Sequence, residues 1–328
     1  MKIAVCLFGH LRTYKECYKS LHKNLLDKYD CDVFMHTWSK KQKETSFTEN
    51  FYWVSNEEQD TTGLQDELFK KYNLKDLVIE DQQNREEEYG YYTRNDKSSP
   101  VGMRVANWNV HCMYHTMSAV NKMRENYQKE NGVKYDFVLF TRPDILFVKE
   151  FKIENYIHAL SQEEIDKSFF LGSGPMWNTR VNDIRMHGGG DYLFFASPDA
   201  ISDIFTKIPK MLENFKDGLV LKNRTAENLF HFLIIDNGYN FWNMDYLPNR
   251  DFFIIRNKAE SLQMKTNLEN TAKVNENKKN KPRFLYKIKL VIYTIFFLFS
   301  FIPFVKIIFK RKKYFGKINK YYKLLWES

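Results

Sequence analysis

Short apolar runs alternate with amphipathic stretches through the first 255 residues of this 328-residue chain. Residues 3–8, Ile-Ala-Val-Cys-Leu-Phe, form a continuous apolar run of the kind that suits a strand buried on both faces. Residues 31–36 predict a second strand, closing on Thr37-Trp38-Ser39, and residues 77–80 a weaker third. Helices are predicted over 14–27 and 64–72. A long helix follows over 107–131, where Val110, Met113, Met117, Val120 and Met123 recur at helical spacing and Gly132 ends it. Residues 137–141, Phe-Val-Leu-Phe-Thr, read as a central strand that breaks at Arg142-Pro143-Asp144, because proline cannot donate to a sheet ladder. Strands over 169–171 and 192–196 come next. Ser197-Pro198-Asp199 caps a further helix, another covers 229–237, and one or two last strands run through 241–255. Strands alternating with helices predict an α/β domain with a mainly parallel central sheet.

Charge divides the chain. Residues 273–328 carry 15 Lys/Arg against two acids, whereas the rest carries 35 against 39. The body is mildly acidic and the tail is a polycation, so the overall +9 does not indicate a nucleic-acid-binding body. Residues 257–283 read as a polar linker, rich in Lys, Asn and Glu. Residues 290–305 then hold no formal charge, with Lys287 and Lys289 before them and Lys310-Arg311-Lys312-Lys313 after. As a helix these sixteen residues reach about 24 Å, short of a hydrocarbon core of roughly 30 Å. Basic flanks on both sides favour an anchor lying in the interface over a span, so 284–328 is expected to dock on an anionic membrane surface. Cys6, Cys17, Cys31 and Cys112 show no paired spacing and suit a reducing compartment. Met1-Lys2 runs straight into the first strand, so no signal peptide is expected and the body is expected to be cytosolic.

The residues that can carry chemistry sit at strand ends. Ligands of open α/β sheets bind beyond the carboxyl ends of the strands. Arg142 can grip phosphate in a bidentate fork, and Asp144 can hold a hard cation. Gly9-His10-Leu11-Arg12 follows the first strand: Gly9 permits a close turn, and Arg12 can neutralise phosphate. This is not a dinucleotide fingerprint. His111 and His115 lie four residues apart on one helix face, but the Glu of a metalloprotease is missing and no distant third ligand stands out; one of the two facing a ligand cleft is the favoured reading. Gly188-Gly189-Gly190-Asp191 allows close approach to a bulky ligand and offers a carboxylate that can deprotonate an acceptor hydroxyl. Glu227 is a second candidate base, although an acid at a helix start has a structural explanation of its own.

With these residues in place the chain resembles bacterial surface-polysaccharide glycosyltransferases of GT-A-like fold. The likeness covers most of residues 1–250. It rests on 3–12, on Asp32-Val-Phe-Met-His-Thr-Trp38 (which contains His36), on Met113-Tyr114, on 136–147 with its Arg-Pro-Asp, and on Gly190-Asp191 before the next strand. The resemblance implies a catalytic domain over 1–256 in which Gly9, Arg12, His36, Arg142 and Asp144 bind a nucleotide-sugar donor. Asp144 would stand for the carboxylate pair that places Mn²⁺ or Mg²⁺ on the pyrophosphate. Arg142 replaces the first member of that pair, and it can offset leaving-group charge itself. The implied activity is sugar transfer to a lipid-linked or cell-surface glycan of lipopolysaccharide or capsule, at the cytoplasmic face of the inner membrane. A phosphoryl or modified-phosphate transferase using the same site is one alternative. A non-catalytic membrane-anchored assembly protein is the other.

Overall fold

The apolar run at the start of the chain becomes β1 (Lys2–Phe8), and every residue from Ile3 to Phe8 is buried. The computed structural model describes residues 1–42, 56–58, 62–85, 101–172, 179–181, 184–186, 192–216, 226–255 and 264. After β1 come α1 (Tyr14–Asn24), β2 (Asp30–Trp38), the short pair β3 (Lys40–Gln42) and β4 (Asn56–Glu58), α2 (Leu64–Tyr72), β5 (Leu74–Glu80) and the long helix α3 (Val101–Asn131). Then follow β6 (Phe137–Thr141), β7 (Ile145–Phe147), β8 (Ser168–Gly172), β9 (Thr179–Val181), β10 (Ile184–Met186) and β11 (Leu193–Ala196). The helices α4 (Pro198–Lys216) and α5 (Ala226–Asp236) precede the strands β12 (Asn240–Met244) and β13 (Phe252–Ile254). The chain divides after Ser261, and all these elements belong to the first unit.

Seven strands make the main sheet, in the order β12-β8-β11-β6-β1-β2-β5. β1, β2, β5 and β6 are mutually parallel, and β12 is parallel to β8. β11 runs against both its neighbours, β6 and β8. The fold is therefore mixed α/β with a mostly parallel sheet. Alternation along β1 sends Ile3, Val5 and Leu7 into a core with Tyr14, Leu21, Leu64 and Leu68 of α1 and α2. Ala4, Cys6 and Phe8 face the other way, into a core with Tyr114, Met117 and Val120 of α3 and with Ile201, Phe205 and Phe230 of α4 and α5. Helices thus cover both faces, which is why β1 and β6 carry no polar alternation.

Several elements outrun their sequence signal. β2 extends through Thr37 and Trp38, and β5 begins at Leu74, because pairing with a neighbour carries polar residues into strand conformation. Helix α1 stops at Asn24 rather than running to 27, and residues 26–28 form a tighter helical turn. Asn73, in the left-handed region (φ 50°), turns the chain from α2 into β5. The break at Pro143 is real, but the strand resumes as β7, which leaves the main sheet and pairs antiparallel with β13. The four cysteines are free thiols; burial pushes Cys6 and Cys112 up to about 12, so they act as small apolar side chains rather than nucleophiles. Residues 86–100 of the exposed excursion expected over 81–100, the linker over 257–283 apart from residue 264, and the tail over 284–328 lie outside the described residues, while 82–85 form a helical turn. Among the described residues no helix is long and apolar enough to cross a membrane.

Two residues before β6, the Tyr135 hydroxyl donates to Asp32 Oδ2 of β2 at 3.0 Å, and Lys2 and Lys75 also reach that carboxylate. Because the two lysines remain, Tyr135→Phe is expected to cost only about 1 kcal/mol, read as a shift of the urea midpoint with unchanged slope.

Candidate functional site

Along the sheet the order β5-β2-β1-β6 reverses at β1, since β2 lies on one side of it and β6 on the other. Such a switch point opens a crevice beyond the carboxyl ends of the two strands, the usual ligand position of doubly wound sheets. The turn after β1 carries Gly9 and Arg12, and the turn after β6 carries Arg142 and Asp144. Gly9 has φ 91°, and its carbonyl accepts from the Thr37 hydroxyl of β2 at 2.8 Å. That backbone conformation is strained for any side chain larger than glycine. Arg12 itself has φ 39°, an uncommon value for a residue with a Cβ. It is held between buried Leu11 and the Thr13 hydroxyl, which donates to the Ile255 carbonyl.

The two turns meet at Asp144. Arg142 Nε donates to Oδ1 at 2.9 Å and its Nη2 to Oδ2 at 2.6 Å, a bidentate fork. Arg12 Nη1 reaches Oδ2 at 2.8 Å from 132 residues away. The Asp144 side chain is fully buried, whereas those of Arg12 and Arg142 keep 15% and 20% of their exposure. Burial alone would raise the Asp144 carboxyl, but the guanidiniums of Arg142 and Arg12 outweigh it and hold the group below the usual carboxylate range. The three charges sum to +1, with the cations on the solvent side. A divalent cation on Asp144 does not fit this arrangement: both oxygens are engaged by guanidinium, and the ion would have to displace them against their charge.

His36 stands in a different group. Its Nε2 lies 3.0 Å from Glu80 Oε2, at the end of β5, and His115 Nε2 of α3 lies 2.8 Å from the same oxygen. Arg85 grips the other oxygen, Oε1, through Nε at 2.6 Å and through Nη2. Trp38 stacks on the His115 ring, with centroids 5.8 Å apart, and meets the His36 ring edge-on. His36 is buried, and that burial, with His115 nearby, lowers it to about 4, so it is neutral at pH 7. Burial would raise the Glu80 carboxyl, but its bonds to His115 and Arg85 prevail and hold it low.

The structure thus joins Arg12, Arg142 and Asp144, keeps Gly9 as the turn that presents Arg12, and assigns His36 to a neighbouring cluster. Asp191, with Gly188–Gly190, lies outside the described residues. Glu227 is the second residue of α5, and its side chain also lies outside them. Sequence reasoning missed Glu80 and Arg85 altogether and paired His115 with His111. No local pattern marked them, because the group depends on the β2–β5 register, which sets Trp38 beside Glu80 and His36 beside Val78.

Fold and site together define a mixed α/β protein whose mostly parallel sheet carries two charged groups on its carboxyl rim. The chain matches no protein-family model and no curated protein sequence.

Proposed function

We propose that the chain is a glycosyltransferase of GT-A-like fold that takes a nucleotide-sugar donor and passes the sugar to a lipid-linked or cell-surface glycan. One observation carries this reading: two guanidiniums, clamped by a buried carboxylate, stand at the switch point of a doubly wound sheet. A diphosphate is the ligand such a pair suits, because planar, permanently charged guanidiniums match phosphate oxygens. In transfer, charge grows on the leaving diphosphate as the glycosidic bond breaks, and fixed guanidiniums stabilise it without reorganising. Asp144 is then a positioning residue that aims both arginines. We assign the acceptor side to Asp191, with Glu227 second; a carboxylate there that takes the acceptor hydroxyl proton gives one displacement with inversion. Docking of the 284–328 tail at the cytoplasmic membrane face would bring the body to a glycolipid acceptor.

The test is thermal denaturation of the full chain against UDP-, GDP- and CMP-sugars. A recognised donor at a hundred times its dissociation constant adds about 2.7 kcal/mol of stability. A chain that no donor shifts overturns the reading.

A further inference from the structure

The cluster around Glu80 is built unlike an ordinary ion pair. Two imidazoles converge on a single carboxylate oxygen, at 3.0 and 2.8 Å, although the carboxylate has a second oxygen and that one is held by Arg85. The donor atoms of His36, Glu80 and His115 all lie within 4.8 Å of one another. Two nitrogens and an oxygen bonded tetrahedrally to one ion at 2.0–2.1 Å would stand about 3.3 Å apart, a separation these atoms reach by small movements.

The donors are also held in advance. His36 sits on β2 inside the sheet, Glu80 ends the adjacent strand β5, and His115 comes down from α3 onto both. Trp38 fixes the face of the His115 ring, and the two histidine rings stand nearly perpendicular, 5.5 Å apart. Arg85, bonded to Oε1, orients the carboxylate so that Oε2 is the vertex where the imidazoles meet. A partner that orients a ligand without touching the ion is the usual outer shell of a metal centre. Beside the cluster opens a groove of about 480 Å³ whose walls include Val78, Asp81 and Ala119.

We propose that His36, Glu80 and His115 form a binding site for one divalent transition-metal ion of the zinc class, with a coordination position open to this groove. Two imidazoles and one carboxylate suit Zn²⁺, Co²⁺ or Fe²⁺ rather than Mg²⁺, which prefers oxygen ligands. Three protein ligands leave a fourth position for water or an anionic ligand oxygen. The site is separate from the Arg12–Asp144–Arg142 group, and its test needs no sugar donor.

The test uses the full chain stripped of metal with a chelator. Titration with Co²⁺ is followed by visible absorption, and titration with Zn²⁺ by calorimetry. One equivalent of Co²⁺ is expected to give the strong absorption of a four-coordinate site, to be displaced by Zn²⁺ and to be unaffected by Mg²⁺. His115→Ala and Glu80→Gln are each expected to weaken Zn²⁺ binding by about a hundred-fold or more, while His22→Ala, outside the cluster, binds as the parent. Circular dichroism melts of the metal-free variants check that they are folded; His115, on a helix and partly exposed, is expected to tolerate alanine best. Failure of the parent to bind one equivalent overturns the proposal, as does parental affinity in a folded His115→Ala or Glu80→Gln variant.

Discussion

Asp144→Asn loses about 3 kcal/mol of folding free energy at neutral pH, and the deficit closes in acid. The carboxylate is fully buried between two guanidiniums, so neutralising it removes the buried anion that both of them share. Breaking a buried pair from one side costs about 3–5 kcal/mol, and the remaining exposure of the arginines puts this site at the lower end. The sign of the pH effect follows from the depressed carboxyl. A group held below its unfolded value contributes its full stabilisation above that value, about 3.9, and loses it as pH falls through the folded one. Urea unfolding of parent and variant at pH 7 and again towards pH 3 measures the gap. A gap that stays constant with pH would show that the substitution acts through packing and not through charge.

On the proposed glycosyltransferase reading, Arg142→Lys is expected to lower sugar transfer by about a hundred-fold in kcat/KM while leaving the body folded. Lysine keeps a cation beside Asp144 but cannot make the fork that Nε and Nη2 make now. Removing one preorganised donor from developing negative charge costs about 10²–10³ in rate, and a hundred-fold is about 2.7 kcal/mol of transition-state stabilisation. The stability scan separates this variant from Asp144→Asn, since its melting midpoint stays near that of the parent. Equal kcat/KM in a folded Arg142→Lys variant would remove Arg142 from the proposed donor site.

The parts of this fold that sequence patterns exposed are those governed by local physics. The apolar run of β1, the Pro143 break and the helical spacing of Met117, Val120 and Met123 each follow from a few adjacent residues. What stayed hidden depends on pairing between distant segments. That Arg142 and Asp144 could meet was visible from two residues' separation; that Arg12 completes the group required β1 to lie beside β6. Glu80 looked like the end of a weak strand, and His115 like half of a helical pair, until β2, β5 and α3 were stacked. Strand direction was hidden for the same reason: the buried Leu-Phe-Phe-Ala of β11 carries no mark of its antiparallel course.

The short β7–β13 ladder has a mechanical consequence. Ile255 N donates to the Asp144 carbonyl at 2.9 Å, and the Ile255 carbonyl accepts from Thr13, the residue after Arg12. Both arginine-bearing turns are therefore stitched to the stretch from which the sequence continues towards the linker and tail. A pull on the C-terminal side of residue 255 would be borne first by the backbone that aims the two guanidiniums, so strain arriving at Ile255 would reach both arginine-bearing turns at once.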